Sequence, residues 1–249
     1  YAFNIGADFI ATGHYAKIIT KNNNKFLARA KDSFKDQTYF LHEVSENEFD
    51  RCIFPLADLT KDEVREIALK QNLITADKKD SVGICFVGER NLKDFLNRFI
   101  SFSKGDIKDE NGNIVGEHQG SILYTEGQRQ GLQIGGVKGA NELPWYVYKK
   151  DIKNNVIHVC QGVDNELLMN SGLFVEKINW INDIEYDLPM NCLVQVRHQH
   201  IPVECYLESN NDKIMLTFKD KIRAIAPGQS AVLYDNDICL GGGIINQTF

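Results

Sequence analysis

Ala7-Asp8-Phe9-Ile10-Ala11-Thr12-Gly13-His14-Tyr15-Ala16 is the stretch on which the fold assignment turns. An apolar run that closes on a glycine reads as a short buried strand ending in a turn. Open α/β folds place ligand contacts at such strand ends. Outward from it, residues 17–30 alternate around Asn22-Asn23-Asn24, a polar hairpin tip. Asp36-Gln37-Thr38-Tyr39-Phe40-Leu41 begins a short helix. Thr60-Lys61-Asp62-Glu63 is a capping box, and Val64, Ile67, Ala68 and Leu73 continue it as an apolar stripe at helical spacing. A further helix is expected over residues 92–100, with Leu92, Phe95, Leu96 and Phe99 on one face.

The texture changes near Lys104. Asn111-Gly112 signals a two-residue hairpin. Beyond it come short strand-like runs at residues 145–148, 156–159, 192–196, 203–207, 214–218 and 231–234, broken by Gly, Asn and Asp. Short strands at this spacing build small barrels or sandwiches. The organisation is therefore a helical α/β piece followed by two β modules.

Composition bounds the partners. The chain has 249 residues, 28 Lys+Arg against 34 Asp+Glu, and 43% hydrophobic content, which is ordinary for a globular protein. Its apolar runs fall far short of the roughly 18 residues a membrane-spanning helix needs. Residues 1–150 carry 21 basic and 21 acidic side chains, and residues 151–249 carry 7 and 13. Net acidity argues against dense coating of a polyanion, so a nucleic acid would have its main footprint on the first 150 residues. The six cysteines, Cys52, Cys85, Cys160, Cys192, Cys205 and Cys239, contain no CxxC pair, so zinc-ribbon and thioredoxin motifs are absent. No secretory signal opens the chain, which suits a reducing cytoplasm and free thiols.

Four segments could carry chemistry. In Asp80-Ser81-Val82-Gly83-Ile84-Cys85-Phe86-Val87-Gly88-Glu89-Arg90 the thiol either fills space in a buried strand or is a nucleophile on a glycine-flanked loop, where backbone N–H groups and Arg90 would favour the thiolate. Thr12-Gly13-His14-Tyr15 is either a plain turn or a place where a ligand meets the backbone and an imidazole donates to it. Lys35-Asp36-Gln37 is either a solvated turn or a polar recognition triplet. Residues 124–136 are glycine-dense without matching a dinucleotide or phosphate loop, and read as a structured loop. Cys192, His198, His200 and Cys205 lack the tight ligand spacing of zinc modules, so no metal site is assigned.

Together these segments resemble one family, the bacterial tRNA-uridine 2-sulfurtransferases or tRNA-specific 2-thiouridylases. The blocks that carry the resemblance are GADFIATGHYA, KDQTYFL, FPLADLTKDEVREIA, KKDSVGICFVGER, GEHQG, YTEGQRQGLQIGG, PWYV, APGQSAVLY and CLGGGII, in the family's order along the whole chain. The resemblance implies a multidomain α+β protein. Residues 1–100 would be the C-terminal part of an α/β ATP-pyrophosphatase domain (adenine nucleotide α-hydrolase-like), residues 101–168 a small β-rich central domain, and residues 169–249 a C-terminal β-barrel. It also implies ATP-dependent replacement of the 2-oxygen of a tRNA wobble uridine by sulfur, delivered from a cysteine persulfide. A second cysteine releases the sulfur, and the two can form a disulfide.

Position by position, Cys85 matches the persulfide-bearing cysteine and Gly13 a glycine that contacts ATP. His14, Lys35, Asp36, Gln37, Arg197, His198 and Gln229 match tRNA contacts. His198 stands where the family commonly has Tyr. The implied cofactors are ATP and Mg2+, and the implied partners are a wobble-uridine tRNA and a sulfur-carrier protein, in the cytoplasm. The family's Gly/Ser-rich pyrophosphate loop and first catalytic cysteine match nothing here, so Tyr1 is expected to begin partway through the nucleotide-binding domain, and the chain alone is not expected to complete the reaction. The residues by themselves leave two other readings open, a non-catalytic RNA-binding module and an adenylating ligase of the same nucleotide-binding superfamily.

Overall fold

Alternating residues on either side of two asparagines make the first clear element. In the computed structural model, which describes residues 1–78, 95–136, 142–210 and 213–249, β2 (Lys17–Lys21) and β3 (Asn24–Ala28) pair antiparallel as expected. Asn22 and Asn23 both take positive φ, 51° and 67°, the conformation that a two-residue turn matching strand twist requires. The stretch before the hairpin is shorter and more open than its apolar sequence suggests. Only Ile10–Ala11 forms a strand, β1, and it is half-buried to exposed. It pairs in parallel with β4 (Cys52–Ile53), Ile10 facing Cys52 and Ala11 facing Ile53.

Helices are few. α1 (Thr38–Leu41) and α2 (Glu46–Phe49) are single turns. α3 (Lys61–Lys70) carries the expected capping box: Glu63 N–H donates to Thr60 Oγ1 (3.3 Å) and Thr60 N–H donates to Glu63 Oε2 (2.6 Å). Its apolar stripe stays largely open, with no buried residue in the helix. In the helix expected over residues 92–100, only Phe95 and Leu96 are helical among the described residues, and 97–99 form a turn.

The remaining strands are β5 (Gly105–Lys108), β6 (Ile114–His118), β7 (Trp145–Asp151), β8 (Val156–Gln161), β9 (Met169–Val175), β10 (Asn179–Trp180), β11 (Met190–Gln195), β12 (Val203–Asn210), β13 (Lys213–Arg223), β14 (Ser230–Asp235) and β15 (Ile238–Thr248). β6-β5-β8-β7 form a four-stranded sheet. The β5–β6 turn is longer than Asn111-Gly112 predicts. Asp109 N–H donates to Asn113 O (2.9 Å) and Asp109 Oδ1 accepts from Asn111 and Asn113 N–H, so three residues intervene, with Gly112 at φ 84°. The Asp109 side chain selects this wider turn by satisfying its inner N–H groups.

A second sheet runs β14-β11-β12-β13-β9-β15, and β14 also pairs with β15, so these six strands close into a barrel. Closure removes the exposed strand edges. β15 is 11 residues long and reaches past the barrel to take β10 along one part and β3 at Ile238, which faces Ala28. The β2–β3 hairpin is thereby an extension of the barrel sheet.

The chain divides into two compact units. One holds residues 1–78, 171–221 and 227–249; the other holds residues 79–170 and 222–226. In the first, Ala16, Leu27, Tyr39 and Phe49 share a core with Ile181, Val232, Tyr234 and Cys239. In the second, Ile107, Tyr124, Leu132, Val147, Ile157 and Val159 form the core. The glycine-dense loop is structured here: Gly127 N–H donates to Val147 O (2.7 Å), Val147 N–H donates to Gln128 O (3.0 Å), and Leu132 is buried.

Candidate functional site

The short segment 30–42 carries three of the expected recognition residues, Lys35, Asp36 and Gln37, and a buried polar network holds it. Asp36 is only 6% exposed. Its Oδ1 accepts from Ala30 N–H (3.0 Å) and its Oδ2 from Thr38 Oγ1 (2.5 Å). Thr38 Oγ1 lies 3.1 Å from Tyr234 Oη on β14, and Tyr234 Oη donates to Gln195 Oε1 on β11 (3.1 Å). Arg29, at the end of β3, completes the set. Its Nη2 donates to the same Gln195 oxygen (3.1 Å), its guanidinium lies 4.6 Å over the Tyr234 ring, and its Nε is 4.0 Å from Asp36 Oδ2.

Electrostatics follow from burial. Desolvation raises the Asp36 carboxyl above the ordinary aspartate value, opposed first by the Thr38 hydroxyl and then by Ala30 N–H and Arg29. Burial also lifts the Tyr234 phenol well beyond its usual range, and pushes the neighbouring Cys239 thiol up to about 12. Both stay neutral at physiological pH. A neutral phenol and an amide bridging a carboxylate and a guanidinium make a fixed scaffold, because each buried polar atom that lost its partner would cost free energy.

Around this scaffold the expected residues gather. His198, in the β11–β12 tip, has Nε2 3.3 Å from Asp36 O and its ring centroid 4.5 Å from that of Phe40, which is 58% exposed. Gln37 is tied to the strand-end turn, since Gln37 N–H donates to Tyr15 O (2.9 Å) and Tyr15 N–H donates to Gln37 Oε1 (3.0 Å). That holds His14, one residue earlier, beside the segment. The His14 Nδ1 is 2.9 Å from Thr12 Oγ1. Lys35 N–H donates to Asp32 O (3.1 Å), which turns the loop at that point. Tyr39 Oη donates to Ser230 O (3.0 Å), bringing the exposed Gln229 to the same neighbourhood. Arg197 is half-buried and sits next to His198 in the tip, where His200 N–H donates back to Arg197 O (3.0 Å). A cavity of about 300 Å³ opens between these pieces, lined by Arg29, Phe34, Asp36, Gln195, His198 and Ile201 among others. Phe34 on its rim is 81% exposed.

Gly13 is exposed and lies just past the C-terminal end of β1. A Cβ added to it would meet nothing within 4 Å, so the protein leaves open the space beside it. Cys85 and Arg90 lie outside the described residues. Among the described residues no group of three or more His, Cys, Asp or Glu could hold a metal ion. Cys192 and Cys205 do face each other, but His198 turns toward Asp36 and Phe40.

Sequence reasoning passed over Arg29, Thr38, Gln195 and Tyr234. A signal existed for two of them. Gln195 interrupts the apolar run Leu193-Val194-Gln195-Val196, and Arg29 stands between Ala28 and Ala30, both buried. A polar residue where the pattern requires an apolar one needs a buried partner.

Three family models match in succession: the tRNA methyl transferase HUP domain over residues 1–89, the tRNA methyl transferase PRC-barrel domain over residues 93–161, and the aminomethyltransferase beta-barrel domain over residues 170–245. Among curated proteins, the chain is 47% identical over 242 residues to the tRNA-specific 2-thiouridylase MnmA of Buchnera aphidicola subsp. Schizaphis graminum, covering 97% of this chain and 66% of that protein. It is 46% identical over 247 residues to the tRNA-specific 2-thiouridylase MnmA of Francisella philomiragia, covering 98% and 69%. With the protein of the same name from Legionella pneumophila (strain Lens) it shares 45% identity over 248 residues, covering 99% and 69%. The chain thus spans about two thirds of the length of these relatives.

Proposed function

The chain belongs to the tRNA-specific 2-thiouridylase family, and from that premise we propose that it takes part in ATP-dependent 2-thiolation of the wobble uridine of tRNA, with Cys85 carrying the sulfur as a persulfide. The observation that carries the tRNA half of the reading is the gathering of Lys35, Gln37, His198 and Gln229 around one buried network. The exposed Phe40 and the His198 ring beside it offer flat faces on which an unstacked base can lie. Lys35 and Arg197 supply cations for phosphates, and His14 and Gln229 supply hydrogen-bond donors. Asp36 acts from beneath. Its carboxylate is spent on Ala30 and Thr38, so it contributes by holding the loop in place and by presenting its backbone carbonyl to His198.

Gly13 suits a nucleotide because it is open and lies at the end of a parallel strand pair. When bound there, ATP supplies the adenylyl group that makes the uracil 2-oxygen a leaving group. Mg2+ would arrive with the nucleotide's phosphates, since Mg2+ seldom needs an all-protein cage. The outer sulfur of the Cys85 persulfide forms the new bond to carbon 2 as the activated oxygen departs. A second thiolate then attacks the Cys85 sulfur, frees the thiouridine and leaves a disulfide. A dithiol reductant reopens the disulfide, a sulfur-carrier protein then passes the outer sulfur of its own persulfide to the Cys85 thiolate, and the setting is the cytoplasm. No helix among the described residues is long and apolar enough to cross a membrane.

The test is thiouridine yield in tRNA, measured by nucleoside mass spectrometry with the full-length protein. Cys85→Ser is expected to abolish thiolation and leave tRNA binding intact. Normal yield from that variant overturns the catalytic assignment. Arg197→Ala is expected to weaken tRNA binding and reduce the salt slope by about one.

A further inference from the structure

Cys192 on β11 and Cys205 on β12 stand directly opposite each other in the antiparallel register, with their sulfurs 3.5 Å apart. Opposed positions place Cα atoms about 4.5–5.5 Å apart, within the span that a disulfide bridges. Both thiols line a cavity of about 530 Å³, together with Glu204, Lys219, Tyr234 and Asp235. The pair therefore has a route to solvent, and Cys192 is only half-buried. The Cys205 S–H can donate to Cys192, which lowers the Cys192 thiol below the ordinary cysteine value and favours its thiolate. Elsewhere burial does the reverse: Cys160 is raised to about 11 and Cys239 to about 12.

We propose that Cys192 and Cys205 are a peroxide-oxidisable dithiol that closes to a cross-strand disulfide at the base of the hairpin carrying Arg197 and His198. The Cys192 thiolate attacks a hydroperoxide oxygen, the O–O bond breaks, and with one proton the products are a sulfenic acid and water (or an alcohol). The Cys205 sulfur then attacks the Cys192 sulfur, the S–O bond breaks, and a second water leaves. Two thiols are oxidised by two electrons and one peroxide is reduced. A small neutral oxidant suits a cavity in which Glu204 is paired with Lys219 and the remaining carboxylate, Asp235, would repel an anionic disulfide such as oxidised glutathione. The bond would clamp β11 to β12 two register positions from Val194 and Val203, where the tip begins. Its effect on tRNA rests on reading that tip as a tRNA contact. The formation of the bond does not.

The experiment treats the full-length protein with substoichiometric hydrogen peroxide, blocks residual thiols, and maps peptides without reduction. A Cys192–Cys205 linked peptide with a mass loss of ~2 Da, reversed by dithiothreitol and absent in Cys205→Ser, is expected. Free or singly oxidised Cys192 and Cys205, with no linked peptide, overturns the proposal. In parallel, tRNA affinity at fixed salt is expected to shift by about fivefold on oxidation in the parent and not in Cys205→Ser. Disulfide formation without a shift removes the regulatory consequence. If the reduced protein fails to bind tRNA, the tRNA reading falls while the dithiol stands on the peptide map.

Discussion

At the scale of single residues, buried polar groups set the constraints on segment 30–42. Asp36 holds two hydrogen bonds and faces Arg29, so Asp36→Ala strips a half-buried guanidinium of its counter-charge and leaves Ala30 N–H unpaired. A loss of ~2 kcal/mol in urea unfolding is expected, with tRNA binding weakened alongside. A loss within experimental error would mean that the network does not hold the loop. His118 makes a pH-dependent case. It is completely buried, Nδ1 accepts from Gly120 N–H (3.0 Å), and Nε2 lies 3.0 Å from Asn155 O, so the ring is neutral with its proton on Nε2. Burial lowers its pKa below 6.5. Above pH 6.5 the imidazole is neutral in both folded and unfolded chains, and the full stability is present. As pH falls below that value the unfolded chain takes up a proton that the folded one refuses, and stability is lost until the depressed folded pKa is reached. The melting temperature should therefore drop between about pH 7 and 5, more steeply in the parent than in His118→Gln. Equal slopes would count against a neutral His118.

At the scale of elements, caps and close approaches decide. Thr60→Ala removes the acceptor for Glu63 N–H and should cost ~1 kcal/mol, read from thermal or denaturant unfolding; α3 has no buried residue to hold it otherwise. In β15, Gly241 has φ +140°, and a Cβ there would collide with Asn179 O, because β10 lies directly on that strand. Gly241→Ala should cost about 2–3 kcal/mol from backbone strain. Gly13→Ala is the contrast. Its Cβ meets nothing, so stability should stay within about 0.5 kcal/mol, while the KM for ATP rises in the full-length enzyme. An unchanged KM would remove Gly13 from the nucleotide site. Both glycines sit in sequence blocks that look alike in kind, yet one is required by the fold and the other is spare to it.

At the scale of the whole molecule, residues 1–78 share their core with residues 171–221 and 227–249. Ala16, Leu27, Tyr39 and Phe49 are buried against Ile181, Val232, Tyr234 and Cys239, and β3 is held to β15. A fragment of residues 1–78 alone should show the circular dichroism and narrow amide dispersion of an unfolded chain, and cooperative unfolding of that fragment would contradict the shared core. None of this was legible along the chain, where a change of texture near Lys104 suggests a boundary between successive modules. Local chemistry was legible. The Asn22-Asn23 turn, the Thr60–Glu63 capping box and the run of short strands depend on neighbouring residues, and backbone torsions and side-chain reach are enough to specify them. The buried strand expected within residues 7–16 and, among the described residues, the helix expected over 95–100 are shorter than their patterning suggests, because apolar patterning states a wish for burial and not whether a partner surface exists. Which residues gather is a matter of long-range pairing. Arg29, Asp36, Thr38, Gln195 and Tyr234 come from opposite ends of the chain, and Cys192 meets Cys205 only through strand register. By itself the sequence determined the local turns and caps, most of the short strands, the family and the residue types available for sulfur and RNA chemistry. Only the tertiary structure decided which of those residues are buried supports and which face the solvent, because burial and strand register arise from contacts between segments far apart in sequence.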